Sequence, residues 1–434
     1  MGHAWSHNGR SLVTFSKTPN PAASSGETMR QSRSDVQFTM EDTWVTVAKL
    51  FVGFQEAAEW MATRFDFGIS PTSVRRRAES ILDVLSAIPR SGSAALPDGE
   101  VIQACLDDLR TLAPATYRKT IARMAGVSLI HAHFRSRMSD RGVAQAIAAG
   151  SLYEIVQDLL DDLLDGGGLT FAEARRLYDL CLRPLTHPAV SCERLEDDLA
   201  DFMVPGQDRL AHVLASATSE LRRLLAGSDA RILQRVGEGH DAMTRAQAAT
   251  VYLRREVFDI PTIREIATTL PTPDPSLSWL DRLAIYASWP SNIALFDAGF
   301  TSMPVSDPEL IGHGRAWLFF DAAVTFLEHY AGAKKDSDEG IVNIARLWVL
   351  PPEAGHAFQG FSATERKSLF EKATSCLVRG IREGTAAGND AEDYVFMALI
   401  IPTVIFALAR TPPAETDEFL GGLADAVRSE IHGS

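Results

Sequence analysis

Asp158, Asp161, Asp162 and Asp165 put four carboxylates within eight residues. Their steps of three, four and seven set all four on one stripe of an α-helix. Leu159, Leu160, Leu163 and Leu164 take the other face. Like charges at such spacing repel by about 0.2–0.5 kcal/mol per pair. The run stops at Gly166–Gly168, a natural helix end. The acids therefore sit at the negative end of the helix dipole, where anions are disfavoured. Something positive should offset them, and a hard divalent cation such as Mg²⁺, which takes carboxylate oxygens, is the first candidate. An ordinary amphipathic surface helix would show the same alternation. The preceding stretch, Val143 to Val156, is mostly small or apolar, which favours a buried helix ending in the wall of a cavity.

A second acidic set lies downstream. Asp321, Thr325 and Glu328 share one face of a segment that is otherwise aromatic or aliphatic, and a lone Asp there is costly to bury without a partner. Next comes a charged stretch, Lys334 to Gly340, which reads either as a solvated turn or as a loop closing over an anion through Lys335. Arg254 and Arg255 end another apolar helix. Guanidinium pairs suit bidentate phosphate contacts, although a surface location fits them as well.

The elements that must position these groups read as helices throughout. Residues 1–38 are rich in Ser, Gly, Asn and Pro without periodicity, as in a disordered tail. From residue 39 the spacing predicts helices over 42–65, 71–88, 100–112, 115–138, 141–165, 171–183, 191–202, 207–226, 228–236, 243–257, 260–269, 277–298, 307–332, 362–387, 390–410 and 415–431. No stretch reads as a strand, so the expectation is one all-α domain over 39–434. A net charge of −14 argues against general nucleic-acid binding. The apolar run Val395–Ala409 is short for a membrane span and contains Pro402, so it reads as a buried, kinked helix. No secretory leader is apparent, and four scattered cysteines without metal spacing fit reduced thiols in a cytoplasmic protein. Whether the chain forms a homodimer is open at this level.

Asp161-Asp162-Leu163-Leu164-Asp165 matches the DDxxD motif of the class I isoprenoid synthase superfamily, and the run Ala144–Asp165 followed by Gly168-Leu169-Thr170 resembles the corresponding helix of its trans-prenyltransferases. Asp321 and Thr325 fit the first and fifth places of the second metal motif of terpene cyclases. Glu328 falls one residue early, and His329 stands at the expected place. Tyr252–Arg255 is similar to the segment carrying a diphosphate-sensing arginine, and Arg118 and Lys119 lie where prenyltransferases keep basic contacts. The resemblance implies an isoprenoid-synthase-type bundle around a central apolar cavity. It also implies Mg²⁺ held by Asp158, Asp161, Asp162, Asp165, Asp321, Thr325 and Glu328. An allylic prenyl diphosphate would be gripped by Arg254, Arg255, Lys335, Arg118 and Lys119 and ionised, and the cation cyclised or rearranged. Aromatic residues such as Trp289, Trp317 and Trp348 would line the cavity. Chain-elongating relatives carry paired arginines directly after the first motif. Here Gly166–Leu169 occupies that place and Arg175-Arg176 comes ten residues on. Cyclisation, or transfer to an acceptor that is not a diphosphate, is therefore favoured over elongation.

A rival reading comes from Thr120–Arg137, which resembles the helix-turn-helix of TetR-type repressors and is locally basic through Arg110, Arg118, Lys119, Arg123, Arg135, Arg137 and Arg141. A helical protein with a degenerate site and a structural or regulatory role is a third reading.

Overall fold

Helix stops and caps in the sequence divide the chain into seventeen α-helices among the described residues, which in this computed structural model are 40–91, 96–166, 168–203, 207–349, 358, 360–388 and 390–433. In order they are α1 Met40–Phe65, α2 Pro71–Ser91, α3 Gly99–Leu112, α4 Pro114–Ile130, α5 Asp140–Asp165, α6 Phe171–Thr186, α7 Leu195–Ala200, α8 Asp208–Leu225 and α9 Ala230–Ala249. There follow α10 Ile260–Thr269, α11 Trp279–Tyr286, α12 Pro290–Gly299, α13 Asp307–Asp338, α14 Ile344–Val349, α15 Ala363–Ala386, α16 Ala391–Ala409 and α17 Pro413–Gly433. The described residues hold no strand beyond an isolated bridge between Arg254 and Ile341. The all-α expectation holds. The N-terminal segment expected to be disordered lies outside the described residues.

α5 and α13 run through the middle. Both are apolar around most of their circumference, the pattern of a helix enclosed by others. α4, α8 and α12 pack on α5, while α11, α12, α15 and α16 pack on α13. Their starts are fixed by capping: Ser139 accepts from Gly142 N at the head of α5, and Ser306 and Glu309 form a capping box at the head of α13. α16 is long and apolar enough to cross a membrane, yet Tyr394–Thr403 lies buried among the helices of this bundle. It is the buried helix expected, and it runs as one element through Pro402.

Several boundaries differ from the periodicity reading, each for a local reason. The helix expected over 115–138 ends at Ile130, and residues 131–137 form turns. The two helices expected over 228–257 are one helix, α9, followed by two 3-10 turns. The one expected over 277–298 is broken before Pro290, whose missing N–H suits the first turn of α12. The charged loop Lys334–Gly340 is instead the last turns of α13, laced by Lys334–Asp338 and Lys335–Glu339 pairs. The short α14 has too few residues for periodicity to register.

Close approach of α15 to its neighbours depends on glycines. A methyl group on Gly380 would overlap the Phe320 ring, and one on Gly384 would overlap Tyr394. Gly380→Ala is therefore expected to destabilise by about 1–3 kcal/mol through overpacking. Gly53→Ala, where a methyl meets nothing within 4 Å in the middle of α1, is expected to stabilise by about 0.5–1 kcal/mol. Urea unfolding midpoints of the two variants check this, and equal shifts would contradict it.

Candidate active site

The acidic stripe of α5 faces α4, and its charges are met there in sequence. Asp158 has a fully buried side chain. The Thr120 hydroxyl donates to its Oδ2 at 2.8 Å, Arg123 Nη1 to its Oδ1 at 2.8 Å, and Lys119 Nζ lies 3.1 Å away. One turn on, Asp161 accepts from the Tyr178 hydroxyl of α6 at 3.1 Å and from Lys119 at 3.4 Å. Asp162, 41% exposed, takes the Thr116 hydroxyl and sits 3.6 Å from Lys119. The polar residues of α4 at 116, 119, 120 and 123 thus form a ladder matching the aspartates, because both sets follow helical spacing.

The positive group required at the C-terminus of α5 is Arg254. Its Nη2 donates to the carbonyls of Leu164 and Asp165, both at 2.6 Å, which satisfies acceptors left free by the helix end. Arg254 is held by a short extended segment: Val342 N donates to Leu253 O at 2.7 Å and Arg255 N to Gly340 O at 2.9 Å.

Between these elements lies a cavity of about 160 Å³. α5 contributes Asp161 and Asp165, α13 contributes Glu328, His329 and Asp336, and Arg123, Arg254 and Trp289 complete its polar and aromatic wall. Arg123 spans it, with Nη2 at 3.8 Å from Glu328 and the guanidinium 4.5 Å from the Trp289 ring centroid. On the far rim Asn343 Nδ2 donates to Asp336 at 2.6 Å, and His329 Nδ1 lies 3.6 Å from the same carboxylate. Of the two acidic faces expected, α5 brings Asp161 and Asp165 to this hollow, and α13 brings Glu328 but neither Asp321 nor Thr325. The hollow is smaller than the roughly 300–1,000 Å³ of ordinary ligand pockets, and it is more polar than the deep apolar cavity expected.

The site carries more carboxylates than cations, and its protonation equilibria reflect that. Burial raises the Asp161 carboxyl above its ordinary value, with Lys119 pulling the other way. Asp165, on the rim, is pushed to about 6 by its crevice and then by the Asp161 charge. Glu154, one turn before Asp158, is fully enclosed: Trp289 Nε1 donates to Oε1 at 3.1 Å while Oε2 has no partner. Burial first, then the Asp158 charge, raise it from 4.5 to about 8. Burial works against the charges of Lys119 and Arg123, but the carboxylates, Asp161 and Asp158 foremost, hold both above their ordinary ranges.

Several expected site residues fall elsewhere. Asp321 is 1% exposed and does not line the cavity; its Oδ1 accepts from Ser291 N at 3.1 Å, in the first turn of α12. Thr325 donates to Ala284 O at 2.7 Å, inside the core. Both stitch helices together. Asp158 is so enclosed and so fully paired that it serves the bundle. Arg118 is exposed, and Lys335 points outward, paired with Glu339 at 3.7 Å. Arg255 binds Ser337 and stays off the cavity wall. Arg175 and Arg176 lie on the exposed face of α6, near Asp179 and Asp201. Of the tryptophans, Trp289 lines the cavity, Trp317 is core and Trp348 meets Phe326 edge to face. The helix-turn-helix expectation is overturned. α4 runs unbroken through Gly126 to Ile130, and the residues of the supposed recognition helix, His131, His133 and Phe134, are buried in turns.

Tyr178, Glu154 and Asp336 are the residues that sequence reasoning missed in this role, while His329 was noted only as standing at a motif position and Arg123 only within a basic segment. Arg123 was legible as the residue one turn after Lys119. Asp336 was legible as two turns beyond His329, once the intervening residues are helical.

Among the described residues, no three His, Cys, Asp or Glu side chains are gathered closely enough to hold a metal ion alone. Among the described residues no hydrogen bond reaches the Asp165 carboxylate, and Asp161 shares its charge with Lys119. One or two carboxylates of this kind suit Mg²⁺, which keeps water and substrate oxygens in its shell rather than an all-protein cage.

Asp158→Ala is expected to cost about 3–5 kcal/mol, because it strands buried cations, and Asp162→Ala under about 1 kcal/mol. Equal losses in chemical unfolding would contradict the assignment. Since the folded-state pKa of Glu154 is raised, its neutral form favours folding. That contribution is present below about pH 4.5 and lost as the pH rises through about 8. The melting temperature of Glu154→Gln minus that of the wild type should therefore grow between pH 5 and pH 9, and a constant difference would refute the burial argument.

No protein-family model matches the chain, and no curated protein matches it in sequence.

Proposed function

We propose that the protein is a Mg²⁺-dependent class I isoprenoid-synthase-like enzyme that ionises an allylic prenyl diphosphate, within an isoprenoid-synthase-type bundle. The supporting observation is that Asp161 and Asp165 of α5 and Glu328 and Asp336 of α13 line one cavity together with Arg123 and Arg254. Facing carboxylates with cationic side chains between them suit a polyanionic group neutralised from two sides.

In this reading Asp161 and Asp165 hold Mg²⁺ from one wall and Glu328 and Asp336 from the other, replacing Asp321 and Thr325. Bound there, Mg²⁺ supplies Lewis-acid stabilisation of the charge that develops on departing diphosphate. Arg254 turns its guanidinium from the α5 carbonyls to the diphosphate, and the Lys119 charge opposes the upward pull of burial on Asp161. Arg123 holds Trp289 against the cavity, so that the ring face meets the carbocation side. Leu164, Val251, Leu253, Ala287 and Ile341 give the apolar share of the wall, and they must part to admit a prenyl chain. Water exclusion then favours rearrangement over quenching. With Arg175 and Arg176 on an outer face, cyclisation is favoured over elongation.

A second reading, a structural charge network without catalysis, draws on the ladder that ties Asp158, Asp161 and Asp162 to α4 and on the small cavity volume. One experiment separates the two. The protein is incubated with geranyl, farnesyl and geranylgeranyl diphosphate and Mg²⁺, and released diphosphate and hexane-soluble products are measured. Turnover is expected with at least one substrate, falling about 10²-fold or more in Asp161→Asn and in Glu328→Gln, the scale of losing a charge-stabilising contact. Asp321→Asn should retain most of the rate. Absence of diphosphate release with all three substrates rejects the enzyme and leaves the network.

A further inference from the structure

The outer side of α6 and the chain that leads from it into α7 form a second hollow, of about 460 Å³. That volume falls within the roughly 300–1,000 Å³ of ordinary ligand pockets. Its apolar lining comes from both sides: Leu180 and Pro184 from α6, Val190 from the turn after it, and Leu195 from the start of α7. Phe171, stacked on Tyr252, adds a ring. Three guanidiniums line the same hollow, those of Arg175, Arg176 and Arg183. Arg175, Asp179 and Arg183 follow at steps of four, which sets them along one stripe of α6.

These arginines are little used by the protein. Among the described residues Arg175 and Arg183 make no side-chain hydrogen bond. Arg176 makes one, at 3.3 Å to Asp201, whose side chain is 67% exposed. Two acids share the lining. Asp179 lies 3.8 Å from Arg175 Nε, and Asp198 has no ion pair among the described residues. The neighbouring stretch outside the described residues, Val204–Gly206, has no charged side chain.

An exposed guanidinium is content in water, so the arginines alone require no ligand. Beside an apolar trough they decide which molecule gains most there, namely one with an apolar body and an anionic head. We propose that this groove binds a single-chain amphiphilic carboxylate of the fatty-acid class, its chain along Leu180, Pro184, Val190 and Leu195 and its head on Arg175 and Arg183. Guanidinium meets carboxylate through two parallel hydrogen bonds. Three arginines against two aspartates in the lining suit one negative charge better than two. A membrane surface is the poorer occupant, because a concave site takes one chain and a protein of net charge −14 is repelled by anionic lipid. No residue lines both this groove and the acidic cavity. The site therefore stands whether or not the protein turns over prenyl diphosphates.

Calorimetric titration of the full chain with decanoate, kept below its micelle concentration, tests it. Acetate and decanol serve as head-only and tail-only probes. The wild type should bind decanoate saturably at one site, and the other two at least about tenfold more weakly. Arg183→Gln should weaken decanoate binding about tenfold, the scale of one charge-assisted contact. Val190→Asp, which sets a carboxylate in the apolar wall at a half-buried turn residue, should weaken it at least as much. Asp161→Asn should bind as the wild type does, and loss of binding there would move the site to the acidic cavity and overturn the proposal. It is also overturned by a wild type that does not bind decanoate, by binding kept in Arg183→Gln, or by acetate or decanol binding as tightly as decanoate.

Discussion

Asp158 must be neutralised inside the protein, and the architecture around the candidate site follows from how that is done. Its side chain has no solvent to fall back on, so it takes Thr120, Arg123 and Lys119 of α4 as partners. Those contacts fix α4 against α5 in register and in rotation. Arg123 then extends past Asp158 toward Glu328, which brings α13 under the same constraint. Three helices are thereby set around one charged column. Such a column adds little net stability compared with well-packed hydrophobic residues, but breaking it is costly, so it specifies geometry more than it strengthens the fold.

What the column leaves unneutralised lines the cavity. Asp161 and Asp165 project past the ladder into the cavity, and Glu328 and Asp336 meet them from the far side. Arg254 answers the dipole of α5 by binding its terminal carbonyls, so it stands at the cavity wall with a contact that an incoming anion can replace. Trp289 lines the cavity and donates to the buried Glu154 behind it. The residues divide by burial: Asp158 and Thr325 spend their side-chain oxygens on partners within the bundle, Asp321 accepts from Ser291 N through Oδ1 alone, and Asp161, Asp165, Glu328 and Asp336 line the cavity.

Much of this was legible in the chain. The spacing of Asp158, Asp161, Asp162 and Asp165 placed them on one stripe, the glycines ended their helix, and the apolar run before them foretold burial. The need for a cation at that helix end was also readable, although its identity, Arg254, was not, since it lies 89 residues along the chain from Asp165. The second acidic face was misassigned because Asp321 and Thr325 follow a motif in sequence, while their surroundings in space bury them against α11 and α12. Asp336 was hidden by reading Lys334–Gly340 as a loop: its charges look like solvated coil until i,i+4 pairing makes them helix. The basic segment around Arg123 resembled a DNA-reading element because charge and composition carry no record of the partner that neutralises them. Cavity volume depends on how side chains fill the space between α5, α9 and α13, which periodicity does not encode.

Calorimetric titration of the protein with inorganic diphosphate, with and without Mg²⁺, tests the central claim most directly. The account predicts a binding event that appears only when Mg²⁺ is present and disappears in the Asp161→Asn, Asp165→Asn double variant. An isotherm identical with and without the metal, or unchanged in that variant, would show that the facing carboxylates hold the bundle together and nothing else.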